Sequence, residues 1–455
     1  MANTVLARQF LPLLLGGGLL LTTAARGEYQ LDSRLSATRT AEAQDRLRAA
    51  DSMFAAMLPP TSRDSTVPLR AIPVLLFPTD AAATPPPDYY AAGGLPKSSG
   101  YFDGVRLLVC VGPEADEAAW RVLQHEAFHA YLRYHHGNDP QARLLPPWLE
   151  EGLAEYTGEA VYAGDRYITG AVHRARQSAI SGHITAGRFV PLGELMRLPR
   201  ESWNAALGDV YYDQAYALIH YLLHAESRRH EPTVKKLVAG FLLDDPDMRR
   251  EALQSFGPVE ALQRRMELWW LSQPPDATPE LYAQADTRLI ATELATARAA
   301  GVRAMSRVEP VEAFRAMLQA QTSIGSGGDV TAAPATTRPS LTPTQAALTR
   351  APLWGTWQWL PARRRGEQGL LLTLPDASEV TARWADGKIL ELSADTLARE
   401  TARAKTLWET GQQPAARDLL ARALADHPRS QHAPAARQTL KLIANQVPPR
   451  ESKNQ

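Results

Sequence analysis

His125-Glu126-Ala127-Phe128-His129 lies within Glu114–His136, a stretch whose apolar spacing predicts one helix. Trp120, Leu123, Ala127, Ala130 and Tyr134 recur at steps of three and four and form a stripe for a core. His125 and His129 stand four apart, so their imidazoles leave one face together, roughly opposite that stripe. The helix thus offers one side to a core and the other to a cleft. Gly137-Asn138-Asp139-Pro140 stops it, with glycine at the C-cap and proline soon after. Two imidazoles at this spacing can share one ion, and Glu126 sits beside that ion without entering its shell. A catalytic zinc needs this pattern: ligands that leave one position open for water, and a carboxylate to take the water's proton.

A second helix is expected from Pro147, since proline opens helices well, to Gly158, which can close it. Its string Trp148-Leu149-Glu150-Glu151-Gly152 resembles the gluzincin metallopeptidases, whose third zinc ligand is a glutamate on a second helix. In the aminopeptidase N branch that ligand is the Glu of Trp-Leu-x-Glu-Gly. The resemblance implies Glu151 as the third ligand and one zinc per chain. Between His129 and Glu151 lie 21 residues, 130–150, slightly more than that branch uses, and a loop over Gly137–Pro147 absorbs the excess. Thermolysin-like relatives place a carboxylate four residues past the ligand, where it holds the outer nitrogen of a zinc histidine. That implies a supporting role for Glu155 behind His125 or His129. Glu150, turned about 100° from Glu151 on a helix, is expected to be solvated. A metzincin pattern would instead recruit His135, but it needs a glycine where this chain has Leu132. His135 and His136 read as cations or donors near a helix C-terminus.

Tyr211-Tyr212-Asp213-Gln214-Ala215-Tyr216 opens a further segment that runs to Tyr221-Leu222 and resembles the aminopeptidase N-type helix led by a tyrosine. In that family the tyrosine donates to the oxyanion of the tetrahedral intermediate, which implies that role for Tyr212; simple packing is the other reading. His220 and His224 are four apart but have no acid in a ligand-like position, so they read as satisfied helix histidines. Gly104–Gly112 is an apolar, β-branched run bounded by glycines, hence a strand, and Val67–Phe77 reads as another. In gluzincins the last strand before the zinc helix is the sheet edge along which a peptide pairs. Residues 104–112 are either that edge or a buried strand. The aminopeptidase loop Gly-x-Met-x-Asn is absent; Gly93-Gly94-Leu95-Pro96 occupies its neighbourhood, so exopeptidase activity does not follow.

The fold class expected is α+β: a zincin-like catalytic domain of a small mixed sheet and active-site helices, then a helical extension, a linker, a β-hairpin and tetratricopeptide-like helices. Residues 1–25, with Arg8 ahead of the apolar run Phe10–Leu21, read as a secretory signal peptide, so the chain is expected to be exported. A helical segment occupies 26–65 and the catalytic unit 66–275, whose tail Glu251–Leu271 has helical periodicity. A helical extension covers 276–322, and the Ser, Thr, Gly and Pro of 323–345 make a linker. A small β segment spans 346–395, where Val380–Trp384 and Lys388–Leu392 flank the turn Asp386-Gly387. The last section, 396–447, resembles a tetratricopeptide repeat through Gly411, Ala416, Ala423 and Pro428. One repeat is too few to stand alone, so it must dock on the body or on a protein partner.

Lysine plus arginine and aspartate plus glutamate balance at 49 each with no basic block, so nucleic acid is not an expected partner. No membrane span is expected after signal cleavage, and the single cysteine, Cys110, can form no intramolecular disulfide. The sequence therefore points to an exported zinc peptidase acting on a peptide or protein. An inactive descendant that binds peptides, or a non-peptidase zinc hydrolase, would share most of these features. Glu126 favours activity, because holding zinc alone does not require it.

Overall fold

The structure is a computed structural model that describes residues 29–58, 71–79, 84–95, 98–112, 117–136, 145–206, 209–273, 279–299, 353–386 and 388–445, with isolated residues at 310–312, 347 and 351. The expected signal peptide (1–25), the loop 137–144 and the linker (323–345) lie outside the described residues. The first sheet contains β1 (Tyr29–Ser33), β2 (Ile72–Pro78), β3 (Gly100–Phe102) and β4 (Leu107–Val111), ordered β1-β2-β4-β3. The first two pair parallel, as do β2 and β4, while β3 is an antiparallel edge. Helix α1 (Ala37–Met57), whose first turn is capped by the Ser36 side chain, connects β1 to β2. The short α2 (Pro87–Ala91) brings Tyr89 onto the far face of the sheet, against Phe77, Leu108 and Cys110.

Every residue of β4 is buried, which explains why it reads as the unbroken apolar run Leu-Leu-Val-Cys-Val. Of the two readings of 104–112, the buried strand is the one that forms. The edge belongs to β3, too short to show a strand period in the sequence. Burial pushes the Cys110 thiol up to about 11.

Two helices follow, α3 (Glu117–His136) and α4 (Pro147–Gly158). The first runs unbroken through His135, which stacks on Tyr131 at 4.1 Å, so no third histidine swings back toward His125 and His129. Its apolar surface is wider than the expected stripe, because Phe128 and Tyr131 also pack, both against Phe54 of α1. After the small pair β5 (Val161–Tyr162) and β6 (Tyr167–Ile168) come α5 (Arg174–Thr185), α6 (Leu192–Leu195), α7 (Arg200–Ala206) and α8 (Asp209–His224). Then come α9 (Glu231–Leu242), α10 (Pro246–Ser255) and α11 (Val259–Leu271). The periodicity over Glu251–Leu271 thus belongs to two helices, parted at Gly257-Pro258, where Gly257 has φ +79°. One large core joins the inner face of the sheet to these helices.

Helix α12 (Pro279–Ala299) lays Ile290, Ala291 and Leu294 on a second sheet. That sheet is antiparallel, ordered β10-β9-β8-β7, with β7 (Thr356–Leu360), β8 (Gln368–Thr373), β9 (Glu379–Ala385) and β10 (Lys388–Asp395). The last two are the hairpin expected around Asp386, whose φ of +50° suits a tight turn. Three helices, Leu397–Glu409, Gln413–Asp426 and Ala433–Asn445, share a small core in which Ala416, Ala423, Ala433 and Ala436 are buried. The architecture is α+β, and no described helix is long and apolar enough to cross a membrane.

Helices α4 and α8 cross at Gly152, where an added Cβ would lie 2.7 Å from Ile219 Cγ1 and 2.8 Å from the Ala215 carbonyl oxygen. Glycine to alanine inside a helix ordinarily stabilises by about 0.5–1 kcal/mol. Here the backbone oxygen cannot give way, so overpacking of about 1–3 kcal/mol outweighs that gain. Gly152→Ala should therefore lower the urea midpoint, with any rise in that midpoint contradicting the close crossing.

Candidate metal centre

The two histidines and the glutamate chosen from the sequence meet where α3 passes α4. His125 Nε2 and His129 Nε2 are 3.2 Å apart, and Glu151 Oε2 is 3.5 Å from the first and 3.4 Å from the second. Four ligands placed tetrahedrally at about 2.0–2.1 Å from a zinc ion would sit about 3.3–3.4 Å from one another. The three atoms match that spacing, and the group is one that could hold a metal ion.

The outer nitrogens decide what those inner atoms carry. His125 Nδ1 faces Glu155 Oε1 at 3.3 Å, and His129 Nδ1 faces Glu150 Oε1 at 3.0 Å. Each carboxylate wants a proton from the nitrogen it meets, which leaves both Nε2 atoms as lone pairs in the neutral rings. Two lone pairs and a carboxylate oxygen at this distance repel unless a proton or a metal ion lies among them. The donor set is therefore one that could hold a metal ion.

Of the two histidines, Glu155 meets His125. Glu150 differs from expectation. It is not solvated but bound to His129 and Arg200 with its side chain 19% exposed. The helix pairing explains the difference: Glu151 of α4 meets the inner nitrogens of both rings, while Glu150 and Glu155 reach the outer nitrogens of His129 and His125.

Behind these carboxylates stand two arginines that no sequence motif marked. Arg176 of α5 binds Glu155 and reaches Asp213 at 2.7 Å, while Arg200 of α7 binds both Glu150 and Glu151. Burial alone would raise the Glu155 carboxyl, but the Arg176 charge and the His125 hydrogen bond hold it down at about 2. For Glu151, burial again opposes ionisation, yet His129 and His125 keep the carboxyl well below its usual range. Neither arginine has a spacing relation to the histidines, so only the folded chain reveals them.

Glu126 lies on the wall of a cleft of about 820 Å³ that it shares with Gly100, Arg121, His125, Arg176 and Tyr212. Its Oε2 accepts from the Phe102 backbone N–H of β3 at 2.9 Å. Among the described residues Oε1 has no hydrogen-bond partner, so one oxygen is fixed while the other is available to the cleft. Gly100 lets this edge strand lie close over α3, since a Cβ there would come within 2.2 Å of Val122 Cγ1. Tyr212 also packs against Trp203, ring centroids 5.6 Å apart, and burial followed by the Glu151 charge pushes its hydroxyl up to about 12. His220 and His224 stand away from this group: His220 meets the Gly170 carbonyl and His224 the Tyr156 hydroxyl.

Compared with known proteins, the chain matches no family model, and no curated protein matches it.

Without a bound ion, burial would lower the His125 pKa, but Glu151 and Glu155 carry it up to about 10. His129 is likewise raised by Glu151 and Glu150 against its burial. A histidine raised above about 6.5 stabilises the fold fully below that pH and loses the contribution as pH rises through the folded value. A metal must displace these protons. Zinc binding near pH 7 should therefore release about one to two protons and weaken as pH falls. Calorimetry in buffers of different ionisation enthalpy measures the release, and an absence of proton release would mean the rings are neutral beforehand.

Proposed function

We propose that this chain is a zinc-dependent peptidase of gluzincin type, with His125, His129 and Glu151 holding one zinc. The convergence of three lone-pair donors at tetrahedral ligand spacing carries this reading. It gains support from Glu126 and Tyr212, which share the wall of one cleft with His125. The antiparallel edge β3 beside Glu126 supports a zincin-like arrangement in which an extended peptide is added to the sheet.

When bound, zinc supplies Lewis acidity, polarising the scissile carbonyl and lowering the pKa of a water toward about 7. Glu126 does the proton work. With Oε2 fixed by Phe102, Oε1 would accept the proton of an attacking water and pass it to the leaving amine. Tyr212, with its hydroxyl pushed up to about 12, stays protonated at neutral pH and donates to the oxyanion. Glu150 and Glu155 hold the outer ring nitrogens and so aim both Nε2 atoms inward. Within the same proposal the chain is exported, the catalytic unit is 66–275 together with β1 and α1, which complete its sheet and core, and the repeat-like helices at 396–447 take a protein partner.

Zinc-loaded protein should cleave members of a peptide library, lose the activity to a chelator and regain it with zinc. Glu126→Gln should keep its zinc and lose about 10²–10⁴-fold in turnover. Tyr212→Phe should lower kcat by about 10²–10³-fold with little change in KM, whereas a packing tyrosine would leave turnover near normal. Wild-type rates in Glu126→Gln would remove Glu126 from the mechanism. Peptide binding without cleavage by zinc-loaded wild type would favour the inactive binding module.

A further inference from the structure

Arg200 touches two of the groups that build the metal centre, from outside it. One guanidinium nitrogen, Nη1, binds Glu151 Oε1, while Nη2 binds Glu150 Oε2. The other oxygen of each carboxylate points the opposite way: Glu151 Oε2 toward both Nε2 atoms, and Glu150 Oε1 onto His129 Nδ1. The Arg200 side chain is 14% exposed, so water does little to weaken these contacts. Its backbone is set by Pro199 just before it, at the start of α7. One turn on, Trp203 of the same short helix is buried against Tyr212.

We propose that Arg200 is a positioning residue that makes Glu151 a one-oxygen ligand and, through Glu150, fixes the ring of His129. A carboxylate free at both oxygens can swing to chelate an ion and take up the position that water needs. With Oε1 bound to the guanidinium, only Oε2 faces the site. The planar fork suits this task because its two nitrogens engage two separate carboxylates at once, which a lysine ammonium cannot do in the same geometry. The short helix α7 thereby braces both the ligand set, through Arg200, and the oxyanion-side tyrosine, through Trp203.

This inference rests on the zinc reading, and the experiment separates the two. Zinc affinity of the full-length protein is measured by chelator competition, and the Co²⁺-substituted protein is examined by visible absorption. Arg200→Ala should bind zinc about 10–100-fold more weakly. Its cobalt bands should weaken and shift as Glu151 becomes a two-oxygen ligand and the coordination number rises. Arg200→Lys should recover part of the affinity but not the wild-type spectrum. If Arg200→Ala does not fold, the lysine variant carries the comparison against wild type alone. Wild-type affinity and spectrum in Arg200→Ala, or full rescue of both by lysine, would overturn the two-pronged role. A wild-type chain that takes up no zinc would overturn the metal reading itself.

Discussion

Where α3 passes α4, charge has to be balanced in a region with little water. Setting aside Glu126, the carboxylates of Glu150, Glu151, Glu155, Glu159 and Asp213 meet the guanidiniums of Arg121, Arg176 and Arg200. The carboxylates outnumber the guanidiniums, and the nearest of them, Glu151 and Glu155 for His125 and Glu151 and Glu150 for His129, raise both rings so that their protons supply positive charge when no ion is bound. A divalent metal supplies the same charge at one point and lets both rings become neutral ligands. The arginines are consequently part of the electrostatics of the centre. Without them, three glutamates on a single helix, two of them adjacent, would repel one another in a poorly solvated place.

That requirement shapes the fold around it. The α4 helix must approach α3 closely enough for Glu151 to lie between two rings, and it is held there from behind by α8 at Gly152. Its consecutive residues face different ways, with Trp148, Leu149 and Leu153 in the core and Glu150 and Glu155 toward the histidines. The edge strand is drawn in from the other side, since Glu126 satisfies the outward N–H of Phe102. Sheet, histidine helix and glutamate helix are therefore located by contacts that each use a residue of the centre or its immediate neighbour.

Much of this was legible in the sequence where chemistry and periodicity coincide. His125, Glu126 and His129 were readable because a helix converts a spacing of four into one face. Glu151 needed the flanking Trp148, Leu149 and Gly152, which serve packing: a buried tryptophan and leucine, then a residue small enough for the crossing. Glu150 was misjudged because a single-helix argument measures angles about one axis, whereas the partner helix decides which angles are buried. Arg176 and Arg200 could not be found, since their relation to the centre is purely tertiary. The same limit applied to strand order. Both β3 and β4 precede the histidine helix, and nothing local to either determines which of them is the edge.

The C-terminal region followed a different pattern. The hairpin was visible through Asp386-Gly387, but its two companion strands were not, although Thr356-Trp357-Gln358-Trp359 alternates as a half-covered strand should. Trp357 is buried and points toward α12, whose Ile290 and Leu294 lie in the same core. That helix turns another side to the metal-bearing region, where Ala285 packs with Val161, Ala163 and Ala171, and Arg288 pairs with Asp165 at 2.7 Å. Through α12 the second sheet is thus attached near β5 and β6, directly after the glutamate helix. Loss of that sheet would uncover one apolar side of α12 while leaving the residues of the metal centre untouched. Among the described residues the C-terminal region therefore reaches the body by two routes, through this helix and its contacts with Val161–Ala171, and directly where Arg403 donates to the Ser272 carbonyl at the end of α11 at 2.7 Å.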